Sequence, residues 1–255
     1  MTRACAWPIP GRARLPLASS AAGTVALIGP NVNLSMSIAG YYGPANACGP
    51  RRWPTMVDAV ANHADGGVSY ARGVPSVSSN DTSLIDEAVR VAAAAGTVVC
   101  VVGSDLSQAR EGLDATSLAL SRAQLELVDR VAAAAVEPVV VVLLTATPLD
   151  ISPLLANPRV GAIVLAGFPS VQGEGVGDVL FGVTAPAGRL VQTIYPADFA
   201  QQVEGRRGAC EGGGRRGACE GGGRRGACEG GGRRGACERG GRRGANERGA
   251  ALSEM

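Results

Sequence analysis

Three carboxylates, Asp105, Glu111 and Asp114, fall within one ten-residue stretch of the 255-residue chain. Carboxylates so close together suit general acid–base work. One of them must keep its proton near neutral pH, which takes partial burial or a like-charged neighbour. Glu111, with Asp105 and Asp114 nearby, is the candidate proton carrier. The same residues also fit an ordinary solvated acidic loop, and on their types and spacing alone that is the better reading. Other chemistries fall away. There is no lysine, so neither a Schiff base nor a phosphate-binding P-loop lysine is available. His63, the only histidine, has no Ser or Cys motif beside it and reads as a surface residue at a helix end. Cys210, Cys219, Cys228 and Cys237 recur nine apart, without the short pairs of a zinc site. Cys100 reads as a small buried hydrophobe, and Cys5 and Cys48 have no evident partners. Gly173, Gly175 and Gly177 hint at a dinucleotide loop. The G-x-G-x-x-G pattern fails at Asp178, and a turn followed by a helix start is the better reading. No metal and no cofactor is expected.

The elements around the carboxylates explain where they should sit. Val98–Gly103 is an apolar run rich in β-branched residues, the composition of a strand covered on both faces. Asp81 or Ser83 starts an alanine-rich helix before it, stopped by Gly96. Ser121 and Gln124 form a capping-box signature for a helix over 121–135. Val25–Gly29, Gly67–Tyr70, Val139–Leu144 and Val160–Leu165 read as further strands, Thr55 as the N-cap of a short helix, and Arg189–Tyr195 as an edge strand. Alternating strands and helices specify an α/β fold: a mostly parallel open sheet with helices on both faces, an α/β sandwich. Ligands of such sheets bind outside the carboxyl ends of the strands. The loop from Ser104 to Leu120 leaves one of those ends.

Three segments follow. Residues 1–23 are irregular, 24–204 hold the α/β domain, and 205–255 are a low-complexity tail in which RRGACEGGG starts at 206, 215 and 224. Four glycines per nine residues oppose helix, so the tail is expected to be disordered. Residues 1–204 carry 12 arginines against 16 acidic residues, and 205–255 carry 12 against 6. The folded part is therefore mildly acidic, with no electrostatic claim on nucleic acid, and the tail is basic. Neither a secretory signal nor a membrane-spanning segment is apparent, since Val91–Gly103 is far short of the roughly 20 residues a span needs.

Read in order, VALIGPN (25–31), GYYGP (40–44), the loop from Gly103 to Asp114, Pro148-Leu149-Asp150, NPRVGAIVLAGFP (157–169), DVLFG (178–182) and GRLVQTIYPADF (188–199) resemble glycoside hydrolase family 3. The similarity is to the C-terminal α/β-sandwich domain of its β-xylosidase-like branch. The resemblance implies a retaining glycosidase whose nucleophile is an aspartate on an N-terminal barrel domain, for which this sequence has no counterpart. The acid/base glutamate of that family sits in the loop matched here by Gly103–Ala115, which makes Glu111 its counterpart. Ala109 and Ala115 stand where the family carries a glutamate and an arginine. Without that arginine, Leu113 and Leu118 are left to anchor the loop, and Asp105 and Asp114 become supporting, structural acceptors. The family also pairs a cysteine near Cys48 with one at the position of Val74.

The implied substrate is a terminal β-linked sugar, xylose, arabinose or glucose. Retention needs two carboxylates about 5–5.5 Å apart across the scissile bond. The chain alone should therefore be inactive unless a separately encoded barrel supplies the second. A non-catalytic domain that at most binds carbohydrate is the alternative, and polyanion binding through the Arg/Gly tail is a weaker one. The compartment is not specified by these residues.

Overall fold

The computed structural model describes residues 5–9, 14–19, 23–34, 53–199 and 201–202. The expectations for the repeat tail, for Cys48 and for the GYYGP segment lie outside these residues. The chain divides into two compact units, Met1–Ala197 and Asp198–Met255. In the second, the described residues include one turn closed by the Gln202 amide donating to the Asp198 carbonyl at 3.1 Å. Everything that follows concerns the first.

Six strands form one sheet: β1 (Cys5–Pro8), β2 (Val25–Ile28), β3 (Val68–Ala71), β4 (Thr97–Gly103), β5 (Val139–Leu144) and β6 (Val160–Leu165). Their order is β1-β6-β5-β4-β2-β3, all parallel except β1, which runs antiparallel to β6. Every residue of β4 and β5 is buried, as their unbroken β-branched runs require. Their side chains alternate between two apolar layers. Val98, Cys100 and Val102 pack with α2 (Ile85–Ala93), α3 (Arg122–Ala134) and α4 (Ser152–Ala156). Val99 and Val101 pack with α1 (Met56–Ala61) and α5 (Glu174–Leu180). The expected parallel α/β sheet with helices is thus observed, with a helical layer against each set of strand side chains.

Local chemistry sets the helix ends. The Thr55 hydroxyl accepts from the Asp58 amide while the Asp58 carboxylate accepts from the Thr55 amide at 2.7 Å, a complete capping box. α3 ends where Arg159, from the start of β6, turns back on it. Its Nε donates to the Ala132 carbonyl at 3.1 Å, and its Nη2 donates to those of Ala135 and Val136. Gly173, Gly175 and Gly177 fall as expected at a turn and a helix start: Gly173 joins a 3-10 turn (Ser170–Gln172) to α5, and the other two lie within α5. A Cβ on Gly177 would lie 2.1 Å from the Ala59 carbonyl oxygen, so this glycine lets α5 and α1 meet backbone to backbone.

Several expectations require correction. Residues 1–23 are not wholly irregular, because β1 lies among them and closes the β6 edge. Pro8 at its end and Pro10 just beyond hide the strand from a pattern search, yet an edge strand tolerates a missing amide. Arg189–Tyr195 forms no strand. The β6 edge it would have joined is already taken, and Val191 stands 92% exposed. The helix sought from Asp81 or Ser83 begins at Ile85, since the Asp81 carboxylate accepts from the Ser83 amide and closes a turn first. His63 is not a free surface residue. Its ring stacks on Phe181 at 5.2 Å and its Nε2 lies 3.1 Å from Asp178 Oδ1. Val74, at the position where the resembled family has a cysteine, is fully buried in the α2–α3 layer.

Candidate active site

Disregarding β1, the strand order runs outward from β2 in both directions, first to β3 and then through β4, β5 and β6. The strand order thus reverses between β2 and β4, the switch point where open α/β sheets place ligands. The β2 exit carries Asn31 and the β4 exit carries Ser104, joined by a hydrogen bond from Asn31 Nδ2 to the Ser104 carbonyl at 3.0 Å. The loop bearing Asp105, Glu111 and Asp114 starts there.

Two local motifs shape the loop. Asp105 Oδ1 accepts from the amide of Ser107 at 2.8 Å and from its hydroxyl, and the Asp105 carbonyl accepts from the amides of Gln108 and Ala109. Asp105 therefore serves the loop's own backbone. Farther out, Arg110 and Leu113 exchange amide-to-carbonyl bonds at 2.9 Å in both directions, leaving Glu111 and Gly112 as a two-residue hairpin tip. Gly112 takes φ +75°, a left-handed backbone that glycine alone adopts without strain. Glu111 is exposed on that tip. Asp114 is exposed and makes no hydrogen bond or ion pair among the described residues, so it does not tie the returning chain as expected. Leu113 is 37% exposed and does not anchor the loop either. The return is held instead by the Leu118 carbonyl, which accepts from the Asp150 amide at 2.7 Å, and by the buried Leu120.

The capping box read from Ser121 and Gln124 is only half made. Ser121 Oγ accepts from the Gln124 amide at 3.3 Å. The Gln124 side chain turns inward, fully buried, where Oε1 accepts from the Gly103 amide at 2.9 Å. Its Nε2 donates to the carbonyls of Val77 at 2.7 Å and Gly103 at 3.1 Å. Asn31, Gln124 and Thr145 are the site-proximal residues that motif reading missed. A signal existed for Gln124: it shares a helical face with Leu127, Val128 and Val131, the face that packs on the sheet.

A cavity of about 1340 Å³ opens beside this region at the carboxyl ends of β5 and β6, lined by Thr145, Thr147, Phe168, Glu174, Asp178 and Arg189 among others. The three loop carboxylates do not line it. Thr145 connects the two places, its Oγ1 lying 2.7 Å from Ser104 Oγ. Among the described residues no group of three or more His, Cys, Asp or Glu is placed to hold a metal ion, and no helix is long and apolar enough to cross a membrane.

Known proteins match this arrangement. The model of the glycosyl hydrolase family 3 C-terminal domain matches residues 12–212. A probable exo-1,4-beta-xylosidase of Aspergillus fumigatus is 40% identical over 191 residues, which cover 74% of this chain and 24% of that protein. A probable beta-D-xylosidase of Arabidopsis thaliana is 36% identical over 187 residues, covering 72% and 24%. A solved family 3 exo-beta-xylosidase, in complex with a xylobiose aziridine probe, superposes with a TM-score of 0.67 at 30% identity, covering 74% of this chain and 24% of that one. A Listeria innocua beta-glucosidase shares the fold, with a TM-score of 0.63 at 20% identity, covering 75% and 25%. The chain spans about a quarter of the length of the curated relatives it matches. With the match running through the sheet, the switch point and the carboxylate loop, the chain belongs to glycoside hydrolase family 3, and the matched region is that family's C-terminal domain.

Proposed function

We propose that this domain supplies the general acid/base to a retaining glycosidase acting on terminal β-linked xylose or a related sugar, and that Glu111 is the group. The observation that carries the reading is the position of Glu111: the exposed tip of a hairpin, on the loop leaving β4 beside the switch point. The carboxylic acid of Glu111 would donate its proton to the glycosidic oxygen as the C–O bond breaks and a second carboxylate bonds the anomeric carbon. The resulting Glu111 carboxylate would then take a proton from water as water displaces that second carboxylate. The second carboxylate comes from outside the described fold, on a barrel domain of the same or another polypeptide.

The test is to assay the chain with a family 3 barrel domain supplied, using xylosides of graded leaving-group acidity. Glu111→Gln should cut turnover of poor leaving groups by about 10²–10⁴-fold, the usual worth of a positioned proton donor. It should spare the bond-breaking step for dinitrophenyl xyloside, which needs no proton. Unchanged turnover of alkyl xylosides by Glu111→Gln would end the proposal. The cavity beside β5 and β6 favours a second reading, carbohydrate binding without turnover. It expects xylo-oligosaccharide binding by calorimetry that survives Glu111→Gln, with no hydrolysis under any complementation.

A further inference from the structure

From Asp105 to Ser117, the hydrogen bonds of the carboxylate loop close within the loop itself: Asp105 with Ser107, Gln108 and Ala109, Arg110 with Leu106, and Arg110 with Leu113. None of them reaches the sheet among the described residues. The direction in which the loop carries Glu111 must therefore be set at its two ends, and the entering end is the Gly103-Ser104 dipeptide. That dipeptide is gripped on every polar atom. Gln124 takes both the amide and the carbonyl of Gly103, Asn31 takes the Ser104 carbonyl, and the Ser104 amide donates to the Leu144 carbonyl at 3.0 Å. The Ser104 hydroxyl meets that of Thr145.

Two features set Gln124 and Asn31 apart from ordinary core residues. Gln124 lies in the first turn of α3, the helix into which the loop returns, so one side chain ties the loop's departure to its arrival. Asn31 is fully buried with its Oδ1 unpartnered among the described residues, so the bond from its Nδ2 to the Ser104 carbonyl is the one its side chain makes there.

We infer that Gln124 and Asn31 are positioning residues for Glu111, fixing at the β4 exit the direction in which the loop is released. The inference rests on the reading of Glu111 as acid/base, and its reach follows from the tolerance of catalysis. A proton donor must be held within roughly 0.5 Å and 10–20° of its working geometry, and about 1 Å of misplacement can cost on the order of 10²-fold. A self-contained loop swings as one body, so a small loosening at its root is carried undiminished to the tip.

The test uses backbone NMR relaxation and residual dipolar couplings on the full chain. In Gln124→Met the Arg110–Leu113 hairpin should persist while the order parameters of Glu111 and Gly112 drop from the rigid range near ~0.85 towards ~0.6 or below. Amides of β5 and β6 should keep their values. Asn31→Ala should do the same more weakly, since one bond is lost and not three. Gln124→Glu gives a conservative rescue. While protonated, its carboxyl can accept from the Gly103 amide and donate to one of the two carbonyls, so loop order should recover in part on acidification, relative to wild type at the same pH, and fall again as the pH rises. Leu154→Ala, a core change under α4, controls for general destabilisation. Loop order unchanged in both Gln124→Met and Asn31→Ala, or lost in proportion with the whole sheet as in Leu154→Ala, would overturn the inference. With a barrel supplied, Gln124→Met should lower kcat for alkyl xylosides at least tenfold with KM little changed. If Glu111→Gln proved harmless in that same assay, the acid/base reading would fail separately, and the NMR result would still decide whether Gln124 and Asn31 hold the loop.

Discussion

Gly103→Ala should be among the most damaging single-methyl additions to this domain, and Gly112→Ala shows why by contrast. Both glycines have positive φ, +145° and +75°. Their surroundings differ. A Cβ on Gly103 would lie 2.1 Å from the Leu144 carbonyl oxygen, whereas one on Gly112 meets nothing within 4 Å. The backbone term alone costs about 1–3 kcal/mol at Gly103 and about 1 kcal/mol at Gly112. The close approach adds to the first. Leu144 belongs to a fully buried strand, so the main chain must separate there and give up the bond from the Ser104 amide, worth about 1 kcal/mol net. The total is about 2–4 kcal/mol for Gly103→Ala. Urea denaturation with a slope of about 2 kcal/mol/M converts this into a midpoint lowered by ~1–2 M, against ~0.5 M for Gly112→Ala. Equal losses in the two variants would refute the close approach of β4 to β5 at the loop's root.

The Cys100 thiol, at zero exposure in the middle of β4, is pushed up to about 12 by burial. Site-resolved mass spectrometry should find it unalkylated by iodoacetamide at about pH 8 until the domain unfolds, when the ordinary thiol range near 8.5 is restored. The sign is definite: the folded thiol holds its proton longer than the unfolded one, so its contribution to stability is complete below the unfolded thiol's value of about 8.5 and is lost as the pH climbs towards about 12. Arg159→Leu should lower stability by about 2 kcal/mol by stripping three carbonyls at the end of α3 of their donor, a fall of ~4–8 °C in Tm by calorimetry. Arg159→Lys should recover little of it, because an ammonium lacks the planar fork.

The parts of this fold that follow from local rules were legible in the residues. β4 and β5 announce themselves because burial on both faces demands an unbroken apolar run, and Thr55 with Asp58 makes its capping box wherever the helix ends up. The site was legible only at its tip. Asp105 beside Ser107, and Gly112 after Glu111, are sequence-local devices whose shape depends on neighbours two or three positions away. The root of the loop is different in kind. Asn31 reaches across 73 positions to Ser104, and Gln124 across 47 to Val77, so no window of sequence contains both partners. Gln124 also satisfies two patterns at once, cap and inner face, and packing decided between them. β1 went unseen for a related reason: four residues, the last of them a proline, carry no periodicity, and only the unpaired edge of β6 gives them a place.

The pairing of β1 with β6 also orders events during synthesis. Cys5 lies opposite Leu165, so within this sheet the first strand to be made waits for the last. At roughly 5–20 residues per second, that wait is on the order of 8–32 s. The four central parallel pairings can form as each strand is completed, but the sheet stays open on one side until β6 appears and the N-terminal strand returns to it. β6 is apolar throughout, VGAIVL, and an uncovered apolar edge invites pairing with another chain. A nascent molecule therefore passes through a window in which its aggregation hazard is set by how quickly residues 5–8 find their place. Slower translation after residue 165 would leave more time for β1 to find its place. Deletion of the first eight residues would leave the hazard permanent.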